Sequence, residues 1–280
     1  MASHTDTSAG VFLDLDNVLT SMLKIDIRAA EAFISRPSQW LRRLERLDDD
    51  ARISPVALRR AIVRRAYLNS SGYIQVPGER YERSISEFRP AFVNAGWEIR
   101  ETPPLTRAGK SAADIHLALD AFELVLKAPH VTELLILSAD ADFTPLVMRA
   151  RAHGRRVVVA HSGPAARAYV EMADLVIDAE QFTREVLGVV PQGLIIGAVN
   201  EMFAALCGGA FSLATLEQRV IAQLGADVVA DNWAGWGSLQ ALLQQSDCHE
   251  FEVHRAPSGD WCIHRHALSL NAPASISHAA

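Results

Sequence analysis

Residues 134–143 read LLILSADADF. The apolar run begins at Val131 and ends at Leu137, the length of one β-strand, and a polar, acidic turn follows it at once. Thr144 and Pro145 come next, a helix cap and a first helical residue, and His153-Gly154 marks where that helix should stop. A strand that runs through an acidic turn straight into a helix is one half of a βαβ unit, so the rest of the chain is read against that unit.

Upstream, the short apolar run Val11-Phe12-Leu13 ends at Asp14 and reads as a buried strand that opens the fold. Residues 24–66 follow a mostly helical pattern. It breaks near Arg36-Pro37-Ser38 and again at Ser54-Pro55, where serine suits the N-cap and proline the first helical position. Residues 61–68 read as a helix end running into a second strand, before loop signals at 69–72 and 77–78. A helix is expected over 85–95, closed by Gly96, then a strand over 97–100 and a loop over 101–110. Residues 112–127 carry Ile115, Leu119, Phe122 and Leu126 at helical spacing. Downstream come a strand at 157–160, a helix at 165–172 and a last strand at 175–177. Strand and helix thus alternate from 11 to about 178, which predicts an α/β domain with a mainly parallel sheet and helices on both faces.

Val189-Val190-Pro191-Gln192-Gly193 reads as a linker. Beyond it, helices are expected at 194–206, 213–224 and 238–244, then a hairpin at 250–254 and 260–264. Three short helices and a hairpin suggest a small winged-helix-like module over 194–268, separate from an α/β domain over 10–185.

Composition narrows the classes. The 280 residues suit one or two domains. A hydrophobic share of 49% with 21% charged residues supplies a core and argues against a disordered chain or a disulfide-stapled scaffold. Cys207, Cys248 and Cys262 leave an odd thiol under any pairing. That points to a reducing compartment, and with no signal-peptide pattern at the N-terminus the expectation is cytoplasmic. No apolar run reaches the length of a membrane-spanning helix. The net charge is −6, but residues 24–89 carry 14 Arg/Lys against 9 Asp/Glu, whereas 191–280 carry 3 Arg against 8 Asp/Glu. A polyanion would be drawn to the first block and repelled by the last.

The chemistry sits in carboxylates. Asp14, Asp16 and Asn17 follow the first strand, Asp140 and Asp142 follow the 131–137 strand, and Asp114 opens the 112–127 helix. In an open parallel sheet, sites form beyond the carboxyl ends of the strands, where such loops meet. Carboxylates gathered without a basic partner repel one another, and a bound Mg²⁺ or Mn²⁺ would relieve that repulsion. Such an ion activates water and offsets charge on a phosphoryl group. The competing role for a loop aspartate is helix capping, and Asp114 is the best case for it.

The line VFLDLDN at 11–17 resembles the opening motif of NYN-domain proteins, the PIN-like ribonuclease group. GKSAAD at 109–114 with Leu119-Asp120-Ala121 is similar to that family's central motif, and LLILSADADF with Pro145-Leu146 and GRRVVV at 154–159 resembles its most specific stretch. Ser162 and Asp174 match a weaker tail motif. The resemblance covers about residues 10–182 and implies a metal-dependent ribonuclease. Asp14, Asp114, Asp140 and Asp142 would be catalytic acids binding Mg²⁺ or Mn²⁺, with Asn17, Ser138 and Lys110 lining the pocket and RNA as substrate. Asp16 falls on a position that varies in the family, and Asp120 would be an outer acid or a plain helix residue. Residues 24–66 would be a helical insertion. Arginines near 59–65, in preference to 149–156, would guide the RNA backbone.

Residues 194–268 are similar, more weakly, to the LOTUS (OST-HTH) winged-helix module, which implies RNA or protein binding; the acidic balance there favours protein contact or narrow RNA-end recognition over a broad phosphate-binding face. Trp233 and Trp236 would be core residues or base-stacking platforms. Asp14-Leu15-Asp16 also resembles the haloacid-dehalogenase phosphatase signature, but Lys24, Lys110 and Lys127, the only lysines, all precede Ser138, where that scheme needs a later one. A non-catalytic RNA-binding scaffold is the remaining alternative. Cys248, His249, Cys262, His264 and His266 lack the paired spacing of a zinc site.

Overall fold

The computed structural model describes residues 7–50, 52–54, 58–102, 112–205, 210–245 and 251–265. The chain divides into two compact units, Met1–Pro191 and Gln192–Ala280.

The first unit is built on six parallel strands: β1 (Thr7–Asp14), β2 (Arg59–Asn69), β3 (Glu98–Thr102), β4 (Glu133–Leu137), β5 (Arg156–Ala160) and β6 (Leu175–Ile177). Their spatial order is β3-β2-β1-β4-β5-β6. The chain builds outward from β1 in one direction and then returns to build outward in the other, so the fold has a switch point between β1 and β4. The central strands carry unbroken apolar runs because both faces are covered; every residue of β4 is buried. The edge strand β3 reads EIRET and is largely exposed, its charges discouraging further strand pairing.

Alternate side chains of each strand enter separate cores. Val11, Leu13, Leu135, Leu137, Val158 and Ala160 face one layer, formed by α1 (Leu15–Ile25), α2 (Ile27–Ser35), α3 (Pro37–Leu44) and α4 (Arg89–Asn94). There Trp40 stacks on Phe33 at 5.2 Å, donates its indole N–H to the Phe33 carbonyl at 2.9 Å and meets Trp97 at 5.5 Å. Phe12, Leu134, Ile136, Val157 and Val159 face the other layer, formed by α5 (Ala113–Lys127), α6 (Thr144–Ala152) and α7 (Arg167–Val170). Gly10 lets α5 lie close to β1: a Cβ there would stand 2.5 Å from the Leu124 side chain. Gly96 and Gly154, at φ +80° and +72°, end α4 and α6 as their positions in the sequence require.

The helical reading of 24–66 needs correction. The helices stop at Leu44, and Arg59–Asn69 is a single eleven-residue strand pairing with β1. Its alternation is hard to see in sequence because arginines occupy both faces. Arg59 is buried and ion-paired to Glu133 at 2.6 Å, and Arg65 is paired to Glu98 at 2.7 Å. The helix start read at Ser54-Pro55 falls at the margin of the described residues, and the chain is already in strand by Arg59.

At the amino ends of the strands Glu133 is fully buried and held by Arg59 and by Arg156 at 3.1 Å, while Arg59 also donates to the Leu44 carbonyl at 2.8 Å. This cluster joins β2, β4, β5 and the end of α3. Removing one member of a buried ion pair strands the other charge. Glu133→Ala is expected to destabilise the first unit by about 3–5 kcal/mol, measured by urea unfolding.

The second unit contains α8 (Gln192–Ala204), α9 (Leu213–Leu224), α10 (Asp227–Ala230) and α11 (Leu239–Gln245). A three-stranded antiparallel sheet joins β7 (Phe211–Ser212), β8 (Phe251–Arg255) and β9 (Trp261–Arg265) in the order β8-β9-β7. Phe203, Phe211 and Phe251 meet in its core. Asn232, Trp233 and Ala234 are left-handed, at φ +56°, +55° and +59°, and this turn sinks Trp233 into the core. Trp236 instead donates its indole N–H to Gln192 Oε1 at 3.1 Å.

Candidate active site

β1 and β4 lie side by side and deliver their carboxyl ends to the switch point, where a crevice for ligands forms in sheets of this order. Asp14 is the last residue of β1 and the N-cap of α1, and its Oδ1 accepts the Asn17 N–H at 3.3 Å. Its other oxygen accepts the Ser138 hydroxyl at 2.9 Å across the gap between the two strands. Ser138 Oγ in turn accepts the Asp140 N–H at 3.1 Å, and Asn17 Oδ1 accepts the Ala139 N–H at 3.1 Å. Two residues of the first motif therefore hold the backbone of the SADADF turn. Asp140 then caps the next turn, accepting the Asp142 N–H at 2.9 Å.

Ser138 and Asn17, expected to line a pocket, act as clamps. Ser138 is fully buried with its hydroxyl committed on both sides. Asp114 lies in the first turn of α5, but Ala112 holds the cap position with no side-chain bond, so the capping role considered for Asp114 does not apply. Lys110 and the Gly109–Ser111 stretch lie outside the described residues, as do Cys207, Cys248, His249 and His266.

Burial and mutual repulsion set the electrostatics. Asp14 is only 4% exposed; burial and the Asp114 carboxylate push its carboxyl up to about 7, although the Ser138 and Asn17 hydrogen bonds pull the other way. Burial also raises Asp16, to about 6, against the opposing pull of the Asn69 N–H that its Oδ2 accepts at 3.0 Å, and Asp114 adds to the rise. Asp114 is itself raised by burial and by Asp140 and Asp142. Among the described residues, no basic side chain enters any of these balances.

Two participants, Tyr67 and Tyr169, were missed in the sequence, and a third was named there without a firm role. Asp16, on a position set aside as variable, ties the end of β2 to the start of α1 through Asn69. Tyr169 is fully buried with its hydroxyl 3.5 Å from the Ser138 carbonyl. Tyr67, paired with Asp14 in the β1–β2 register, donates its hydroxyl to Asp120 Oδ2 at 2.7 Å. Asp120 also lies 3.6 Å from Arg65 and 3.8 Å from Arg100, so it belongs to a charge network beside the acids. No local motif marks these tyrosines, since Tyr67 reaches this edge through the β1–β2 register and Tyr169 through the packing of α7. The arginines of 59–65 expected to guide a backbone are largely committed, Arg59 inside the protein, Arg64 toward Glu45 and Arg65 to Glu98.

Among the described residues, no three His, Cys, Asp or Glu side chains are drawn close enough together to hold an ion as they stand. The donors nonetheless suit a hard divalent cation, being all oxygen. Asp16 Oδ1 is buried with no hydrogen-bond partner, an unsatisfied acceptor at the edge of the same group.

The pH dependence follows from Asp14. The folded state holds the proton that the unfolded chain releases near pH 4, so raising the pH removes stability until the folded carboxyl ionises near 7. Without divalent cations, the wild type is expected to lose up to about 4 kcal/mol between pH 4 and 8 relative to Asp14→Asn. Thermal unfolding of both proteins across that range measures the difference.

The NYN domain family model matches residues 8–181. Among curated proteins, an uncharacterized protein of Methanocaldococcus jannaschii is 34% identical over 88 residues, which is 31% of this chain and 33% of that protein. The chain thus spans about a third of the length of the curated relative it matches. A crystal structure of a protein of unknown function from Vibrio parahaemolyticus is similar at a TM-score of 0.43 and 20% identity, over 65% of this chain and 98% of that one.

Proposed function

Since this chain belongs to the NYN domain family, a PIN-like group of ribonucleases, we propose that it is a metal-dependent endoribonuclease whose reaction takes place at the β1–β4 switch point. The observation that carries the reading is a set of mutually repelling carboxylates gathered around the buried Asp14, with Asp114 at its exposed side and no basic side chain among the described residues to offset them. A fold tolerates such a group when a cation completes it.

Asp14, Asp114, Asp140 and Asp142 would hold Mg²⁺ or Mn²⁺. When bound, the cation supplies activation of water and charge compensation at the scissile phosphate. The chain's own part is positioning. Ser138 keeps Asp14 aimed across the strand gap, Asn17 holds the Ala139 peptide, and Asp16 pins the end of β2. Asp14 holds a proton below about pH 7, and that proton must leave before its oxygens can serve as ligands. The protein is therefore expected to bind the cation more weakly as the pH falls below about 7, which calorimetric titration of the metal-free protein with Mn²⁺ across that range measures.

We assign the second unit to recognition of RNA or of a protein partner. Its helices followed by an antiparallel sheet agree with the LOTUS-like pattern, and its acidic balance favours the protein. Catalysis in the cytoplasm accords with the odd cysteine count.

The test is cleavage of labelled single-stranded RNA by the full chain with Mn²⁺ or Mg²⁺, beside EDTA, Asp140→Asn, matched DNA and a phosphomonoester. Asp140→Asn is expected to lower cleavage at least about a hundredfold with an unchanged unfolding curve. Equal cleavage by a folded variant would refute the site. Phosphate release from the monoester alone would replace the reading with a phosphatase, and binding of RNA without turnover would leave a scaffold.

A further inference from the structure

Helix α5 is apolar on two sides. Leu117, Ala121 and Val125 pack onto the sheet, while Ile115, Leu119 and Leu126 stand 60%, 64% and 56% exposed. The positions 115, 119, 122 and 126 that marked this helix in the sequence are therefore its outer crest. Met148 of α6, 55% exposed, lies in the adjoining layer, and the half-buried Phe122 joins the two helices. The two apolar stripes are separated by Asp120, Glu123 and Lys127 on one side, so the outer one is a distinct exposed stripe and not the edge of the buried face. The crest side chains present roughly 400 Å² of apolar surface, at the size where patches on soluble proteins mark interaction sites.

We infer that this crest is covered by a second copy of the chain in an isologous dimer. Two observations select that occupant. A stable interface takes about 800 Å² from each partner, and homodimer interfaces are about 65% apolar. The crest supplies most of that apolar share, with its charged flanks as the rim. The flanks are also complementary under a twofold axis. Arg149 lies 5.9 Å from the Phe122 ring on the α6 side, and its guanidinium has no carboxylate partner among the described residues. Glu123, paired within its own helix to the exposed Lys127, projects from the other flank one residue further round, with Ile115, Leu119 and Leu126 falling between them at 100° per residue, so an arriving Arg149 would share that carboxylate with Lys127. A twofold axis parallel to α5 leaves heights along the helix unchanged and exchanges the flanks. It sets Arg149 of each copy beside Glu123 of the other, closing the crest symmetrically.

Sedimentation equilibrium and light scattering of the full chain test this at tens of micromolar. The wild type is expected at twice the chain mass. Leu119→Glu, which places a charge in the apolar centre, is expected to be a monomer with an unchanged melting temperature, because Leu119 makes little contact within its own chain. Arg149→Glu is expected to weaken the dimer on the order of tenfold, and adding Glu123→Arg to restore it, the mark of a direct charge pair. A monomeric wild type overturns the proposal, as does a dimer that survives Leu119→Glu. A double variant that stays as weak as Arg149→Glu alone overturns the parallel arrangement.

Discussion

The hydrogen bond from the Ser138 hydroxyl to Asp14 Oδ2, 2.9 Å long and closed to solvent, is the constraint on which the site depends. It crosses between the two strands that meet at the switch point, and the same hydroxyl accepts from Asp140. The backbone ladder sets the spacing of β1 and β4, and this one buried oxygen, linking their carboxyl ends, sets the aim of the first acid and the start of the turn bearing two more. Asn17 adds a second bond across the same gap. Buried polar groups specify a geometry when fully paired and are costly when half paired, so this small network gives the carboxyl edge its definite shape.

That shape conflicts with Coulomb's law. Asp14, Asp16 and Asp114 all have raised carboxyls, and burial is the largest cause for each. The opposite edge of the sheet handles the same difficulty differently, answering the buried Glu133 with Arg59 and Arg156. The amino edge thus has its buried acid neutralised, whereas at the carboxyl edge no basic side chain among the described residues answers Asp14, Asp16 or Asp114.

Helix α5 links the site to the surface. Its first turn carries Asp114, its middle carries Asp120 and the Tyr67 bond, and its outer face carries the exposed crest. A partner docked on that crest would bear on the element that supplies one of the acids.

The sequence by itself determined the α/β alternation, the order of the acidic turns and the family, because apolar run length and turn chemistry are local properties of the chain. It placed a second strand within 61–68 but read its start as helix, since Arg59, Arg64 and Arg65 mask a strand whose charges are matched by Glu133, Glu45, Glu98 and Asp120, residues from other elements of the fold. It could not tell which apolar stripe of α5 faces the sheet, because two stripes of similar strength share the helix and only packing chooses between them. The tertiary structure alone decided that Asn17 and Ser138 are clamps, that Asp16 pins the end of β2, that two tyrosines join the site, and that the carboxylates are raised. Those facts depend on distances across strand gaps and on exclusion of water, neither of which is written in the order of the residues.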